Sequence, residues 1–265
     1  MVTRVVLALT AGLAALLAGA DAAWAQTPDP STSGRVPVLA ELFTSEGCSS
    51  CPPADRILEM LATEQPLDGV YVVGLSEHVT YWDHQGWRDP FGSRALTFRQ
   101  NAYGTHFKLE SVFTPQLVID GAAQMVGSDT AQLQRALAEA ARAPKLPLTI
   151  AAAAGDKGLV VSASGPGIQV DDADLLWAVT EDNLVVEVKR GENAKRTLRH
   201  TGVVRTLVSR KIDAAKTAAN TGAVIELPSE WKRENLRLVA FVQSTKTRRV
   251  LSVAWTRLPA AAAAP

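Results

Sequence analysis

The sequence predicts an α/β domain followed by a smaller all-β, sandwich-like domain, and three observations carry that prediction. Over residues 36–142, strand-like and helix-like segments alternate in the order β-α-β-α-β-β-α, the pattern of a compact α/β unit. At Ala143-Pro144-Lys145 the alternation stops. From Leu146 onward short strand-like runs dominate, separated by turn signals such as Gly165-Pro166-Gly167 and residues 189–193 (KRGEN).

Each element has a local reason. Residues 36–43 are an apolar, strand-like run interrupted by one charge, Glu41. Residues 53–64 read as a helix, with Ile57, Leu58, Leu61 and Ala62 on one face and Arg56, Glu59 and Thr63 on the other. The unbroken run 70–75 suits a strand covered on both sides. A loop rich in aromatic and polar residues spans 77–92 and leads to a helix over 93–107. Residues 115–120 and 124–126 flank Gly121 as an antiparallel hairpin, and Ser128 or Asp129 caps a helix running to Arg142. Eight strands follow, at 148–153, 159–163, 174–180, 184–188, 197–208, 223–227, 236–243 and 250–256. Domain limits are set at 36–143 and 146–258.

The ends speak to location. Met1–Arg4 is a short basic start, residues 5–18 are an apolar run, and Ala23-Trp24-Ala25 places small residues where a signal peptidase reads. The expectation is a signal peptide over residues 1–25, cut after Ala25, and a periplasmic or secreted protein without membrane insertion. With no cysteine near that cut, lipid attachment there is excluded. Residues 26–35 (QTPDPSTSGR) form a flexible linker, and the alanine-rich 259–265 a disordered tail. The chain carries 27 basic and 27 acidic residues, a balance that argues against a nucleic-acid or anionic-membrane partner.

The only two cysteines, Cys48 and Cys51, lie between the first strand and the first helix. A thiol at a helix start faces unpaired backbone N–H groups and the positive end of the dipole, which favours the thiolate that attacks disulfides. In an exported protein the pair suits dithiol–disulfide exchange, with Cys48 attacking and Cys51 resolving. A quiet Cys48–Cys51 disulfide is the plain alternative, although so short a loop removes little unfolded-state entropy. Metal binding is the other, with His78 joining the two thiolates to hold copper or zinc. A scaffold whose partner docks on the β-rich domain is a third.

Residues 41–55 (ELFTSEGCSSCPPAD) resemble the opening motif of the DUF1223 proteins, secreted members of the thioredoxin-like superfamily. Further matches follow at 76–83 (SEHVTYWD), 86–91 (GWRDPF), 99–103 (RQNAY) and 114–121 (TPQLVIDG). Gly191-Glu192-Asn193, His200 and Val203-Val204-Arg205 extend the likeness into the second half. The chain departs at Glu77 and Thr80, where the family pattern is expected to hold Phe and Asp.

The resemblance implies a thioredoxin-like fold for the first domain and roles for further residues. Thr114-Pro115 would form a cis-proline loop facing Cys48 and offer backbone groups to a substrate chain. Glu41 would be the buried acid that helps move a proton from Cys51, the alternative being a strand-end carboxylate that reaches solvent or pairs with a lysine or arginine. His78 and Trp82 leave the second strand at its C-terminal end, the edge where ligands bind in open α/β sheets. Trp82, Trp87 and Phe91 would wall a groove there, while Asp83 and Asp89 brace the loop; Arg205 and His200 read as structural. The functional expectation is an exported thiol–disulfide oxidoreductase acting on a protein or small-molecule thiol/disulfide substrate, with no organic cofactor, because the sulfur pair carries the electrons.

Overall fold

The computed structural model describes residues 24–25, 34–155, 157–212 and 221–258. Residues 1–23 of the predicted signal peptide, residues 26–33 of the predicted linker and the predicted tail over 259–265 lie outside the described residues. Among the described residues no helix is long and apolar enough to cross a membrane.

Strand β1 (Trp24–Ala25) precedes β2 (Val36–Thr44), α1 (Pro52–Glu64), β3 (Val70–His78), α2 (Arg94–His106), β4 (Gln116–Ile119), β5 (Ala123–Val126) and α3 (Thr130–Ala140). The rest is β-rich: β6 (Thr149–Gly155), β7 (Gly158–Ser164), β8 (Ala173–Glu181), β9 (Leu184–Glu187), β10 (Thr197–His200), β11 (Val203–Lys211), β12 (Ala223–Ile225), β13 (Leu236–Ser244) and β14 (Val250–Arg257). The helices have plain causes. Two prolines open α1, where their missing N–H groups cost no hydrogen bond. The Asp129 side chain caps α3 by accepting from the Gln132 N–H.

The fold is mixed α/β, built on one eight-stranded sheet in the order β14-β13-β8-β11-β3-β2-β4-β5. Strands that the sequence assigns to two domains thus share a single sheet. The junction is slight: β11 meets β3 in parallel through one pairing, Val203 with Ser76, while β11 pairs antiparallel with β8 along its length. A smaller sheet, β1-β6-β7-β12, covers one face of β8 and β13. Ile150, Leu159 and Val161 there pack on Trp177, Leu238 and Ala240. The two sheets face each other across this core. That core is built on strands that continue into the α/β half.

Strand alternation sorts the first half into two layers. Val38, Ala40 and Leu42 of β2 face α1 and α3, joining Leu58, Leu61 and Leu137 in one core. Leu39 of β2 and Tyr71, Val73 and Leu75 of β3 face the other way, towards Leu96 of α2 and Phe241 of β13. Tyr71 stacks on Trp255 of β14, with ring centroids 5.6 Å apart and planes 4° from parallel. The sequence reads 197–208 as one strand; the structure breaks it at Gly202. This residue has φ +67°, and a Cβ on it would sit 2.7 Å from the Gly74 carbonyl oxygen, so only glycine fits. The turn sends β10 to pair with β9 and β11 to pair with β3 and β8.

A buried polar junction ties the halves together on the α2 face. Glu41 Oε1 accepts from Arg99 Nε at 2.5 Å, and Glu41 Oε2 accepts from the Tyr103 hydroxyl at 2.5 Å. Gln243 of β13 accepts from Arg99 at 3.2 Å and donates to the Tyr103 hydroxyl at 2.7 Å. Glu77 lies beside this group, with Arg99 Nε 3.5 Å from its Oε1 and, among the described residues, no hydrogen bond to either of its oxygens. Burial, reinforced by the neighbouring Glu41, raises the Glu77 pKa well above the usual carboxylate range. A carboxyl whose pKa is raised by folding leaves stability intact below its unfolded pKa and erodes it as pH rises towards the folded value. Glu77→Gln should therefore be more stable than the parent at pH 8, by on the order of 1–3 kcal/mol, because it removes a buried charge beside Glu41 that Arg99 offsets only in part. At pH 4 the gain should vanish. Denaturant unfolding of both proteins at the two pH values checks this.

Candidate functional site

β2 and β3 run parallel and in register from Val36 opposite Val70 to Thr44 opposite His78, so the loops that follow them emerge at one edge. The loop after β2 carries Cys48 and Cys51, joined as a disulfide. Both residues have zero solvent exposure, although Ser49 and Ser50 between them are exposed. An attacking Cys48, as the sequence predicts, calls for an accessible sulfur, and here it is closed off. The tip of the β9–β10 hairpin closes over the loop: Asn193 Nδ2 donates to the carbonyls of Glu46 (2.8 Å) and Cys48 (2.9 Å). Glu192 accepts the Ser49 N–H at 3.0 Å.

The electrostatics of the helix start also differ from expectation. Pro52 and Pro53 have no N–H to offer, and the N–H groups of Ala54 and Asp55 are taken by the Cys51 carbonyl. The group beside Cys48 Sγ is the Ser50 hydroxyl, 3.3 Å away. In the reduced protein that hydroxyl is placed to donate to a Cys48 thiolate.

Behind the loop lies a second buried cluster. Glu46 is almost fully buried; it accepts from Trp87 Nε1 at 2.7 Å and contacts His200 Nε2 at 3.0 Å. Asp89 accepts the Glu46 N–H at 2.8 Å with the same oxygen that lies 2.7 Å from His78 Nδ1. The His78 and His200 rings meet edge to face at 5.0 Å, and Phe91 packs against both. His78 Nε2 and His200 Nδ1 are buried without hydrogen-bond partners among the described residues. Burial alone would push the Asp89 pKa up and that of His78 down, but their mutual attraction prevails. Asp89 is held at about 2, and the His78 pKa is raised above its ordinary value, with help from Asp55 and Glu46.

Asp55, in the first turn of α1, completes this group. It is half-buried and accepts from the Thr44 hydroxyl at 2.8 Å. Burial raises its pKa, against the opposing pull of His200, His78 and the Thr44 hydroxyl.

The model of a family described as "Protein of unknown function (DUF1223)" matches residues 39–243, most of the chain. The chain belongs to the DUF1223 family. No curated protein matches it in sequence. A crystal structure of a protein from Agrobacterium tumefaciens is similar at 22% identity and a TM-score of 0.61, covering 86% of this chain and 96% of that one. HBP35 of Porphyromonas gingivalis is similar at 13% identity and a TM-score of 0.54, covering 87% of this chain and 79% of its own. Both are likenesses of fold.

Several predicted site residues of this DUF1223 protein do converge at one edge. The Thr114–Pro115 peptide is cis. Pro115 and Ala54 of α1 flank Gly127, where an added Cβ would meet both. Trp82 bridges the two loops: its indole N–H donates to Thr114 Oγ1 at 2.7 Å, and its Cβ lies against Gly47, beside Cys48. His78 lies beneath the loop. Glu41 does not join them. It projects from the opposite face of the sheet from α1, and Arg99 and Tyr103 occupy both its oxygens. The proposed grouping of Cys48, Cys51 and His78 around a metal is not assembled either. The sulfurs bond to each other, and among the described residues no three His, Cys, Asp or Glu side chains are arranged to hold an ion.

Sequence reasoning missed Glu46, Asp55 and Asn193 as parts of the site and left His200 a structural residue. The signal that pointed to them was the family likeness, at 41–55 for Glu46 and Asp55 and, far along the chain from Cys48, at 191–193 and His200 for the others.

Two outcomes follow from this geometry. Asn193→Ala should speed reduction of Cys48–Cys51 by dithiothreitol about tenfold or more, because it frees two carbonyls that hold the hairpin down. Time-resolved alkylation with mass spectrometry measures that rate. The His78–Asp89 pair should stabilise the fold most between about pH 4 and 6.5. Its aspartate part is lost as pH falls from the ordinary 3.8 towards 2, and its histidine part as pH rises through the raised His78 pKa. Asp89→Asn should therefore cost on the order of 3 kcal/mol near pH 5.5 and less at pH 3 and pH 9 in denaturant unfolding.

Proposed function

We propose that this protein is an exported, thioredoxin-like thiol–disulfide exchange protein of the cell envelope, working through Cys48 and Cys51. One observation carries the reading: the disulfide closes at the start of α1, and Trp82 links its loop to the Thr114–Pro115 loop. Cys48 is the attacked and attacking sulfur, because the Ser50 hydroxyl is at hand to stabilise its thiolate. Cys51, at the helix, resolves the mixed disulfide. Thr114 and Pro115 form the docking edge for the partner chain, as the family resemblance implies. The apolar N-terminal segment, with Ala23-Trp24-Ala25, supports export to a compartment where a dithiol pair can cycle.

The burial of both sulfurs favours a second reading, a closed structural disulfide in a scaffold protein. The two separate on one measurement. Cys51→Ser, expressed in the exporting cell, should retain partner proteins as mixed disulfides through Cys48, released by dithiothreitol and absent from a Cys48→Ser/Cys51→Ser control. Failure to trap any partner, together with no exchange between the parent protein and glutathione disulfide, would establish the scaffold reading.

A further inference from the structure

We infer that Asp55 is the acid–base partner of Cys51, the part that sequence reasoning assigned to Glu41; this rests on the exchange reading above. Cys51 is the N-cap of α1 with helical backbone angles, and Asp55 stands four residues on, its N–H donating to the Cys51 carbonyl at 3.1 Å. Residues so spaced share one helix face, with Cβ atoms roughly 5–6 Å apart. Glu41 cannot serve, because it lies across the sheet and is held by Arg99 and Tyr103. Asp55 is half-buried, whereas Cys51, His78 and Glu46 are closed off, so Asp55 is the point at which a proton can pass between the resolving sulfur and water.

The charged and titratable groups facing Asp55 come from every neighbouring element. They are His78 at the end of β3, His200 at the end of β10 and Asp89 in the loop after β3, with the Thr44 hydroxyl donating from β2. Burial outweighs the imidazoles and the hydroxyl, so the raised pKa brings the carboxyl nearer that of a thiol and eases transfer between them.

A partner disulfide RS–SR′ accepts attack by the Cys48 thiolate, forming Cys48–S–SR and releasing R′S⁻. Asp55 carboxylate then takes the proton of the Cys51 thiol. The Cys51 thiolate attacks Cys48 Sγ, the Cys48–SR bond breaks, and RS⁻ leaves. The partner gains two electrons, the pair closes to the disulfide seen in the structure, and Asp55 passes its proton to water. In the reverse direction protonated Asp55 gives its proton to the departing Cys51 thiolate.

The test uses the reduced full-length protein and glutathione disulfide, acid-quenched and counted by mass spectrometry between pH 6 and 9. In the parent protein the glutathione adduct on Cys48 should be short-lived throughout. In Asp55→Asn its resolution should slow at least tenfold at pH 7, and the gap should close towards pH 9, where a thiol with a pKa of about 8.5 ionises unaided. Asp55→Glu should recover most of the rate. Thr44→Val keeps the carboxyl but removes its donor, and should move the rise of the resolution rate to higher pH. Equal rates in Asp55→Asn and parent at pH 7, or a slowing uniform across the pH range, would overturn the assignment while leaving the exchange reading intact. If the parent forms no adduct and does not reoxidise, the exchange reading falls and this inference with it.

Discussion

The site depends on one constraint, the seating of the β9–β10 hairpin on the loop that holds the disulfide. The chain reaches that position because Gly202 turns it, donating its N–H to Asp182 and accepting from the Ser76 N–H. One strand thereby enters the large sheet beside β3, and the preceding one places His200 on Glu46. A single amide, that of Asn193, then satisfies two buried carbonyls of the cysteine loop. Without that amide the Glu46 carbonyl would lose the Asn193 bond and the Cys48 carbonyl would keep only the Cys51 N–H at 3.3 Å, so the closed hairpin is the better-bonded state of the loop. The second half of the chain is therefore part of the site, and a cut near residue 145 would uncover the disulfide.

Strand parity explains the division of the ionisable groups. Thr44 and His78 are register partners, and they belong with Leu42 and Val72 on the face that packs on α1. Glu41 and Glu77 are each one odd step away and point to the α2 face. One grouping thus joins the two halves, and the other lies under the sulfurs. The same alternation that builds the two hydrophobic layers keeps a carboxylate that serves architecture apart from one that can serve chemistry.

Much of this was legible in the sequence. The element order of the first half and the junction of strand, cysteine loop and helix follow from local pattern, and the Thr114-Pro115 loop from the family resemblance. Glu41 stood out as the one charge in an apolar strand, and the family resemblance implied a buried acid there, with pairing to a lysine or arginine as the alternative. Which face it occupied was not legible, since that depends on which side α1 packs, a fact of topology. The position of His200 was hidden for a related reason. It sits in an alternating strand whose local sequence resembles any other, and only the Gly202 turn carries it 154 residues back to Glu46. The shared sheet was equally hidden, because one pairing of Val203 with Ser76 leaves no composition signal.

If the protein exchanges disulfides as proposed, burial of the disulfide sets how that exchange must proceed. Attack on Cys48 needs an incoming sulfur in line with the Cys48–Cys51 bond, and at zero exposure no such approach exists in the closed form. Exchange then runs through an opened state, and the observed rate is the intrinsic rate multiplied by the fraction open. The hairpin tip is held on the cysteine loop by Asn193 and the exposed Glu192, so the opening is a local event and need not disturb the cores of either layer. Every 1.4 kcal/mol of closing energy lowers the rate about tenfold, so a partner that offered its own backbone groups to the freed carbonyls of Glu46 and Cys48 would regain that factor. Under the proposed exchange function, selectivity would lie in who can replace Asn193: a small thiol would break those hydrogen bonds without return, while an extended peptide beside Thr114 and Trp82 would make new ones.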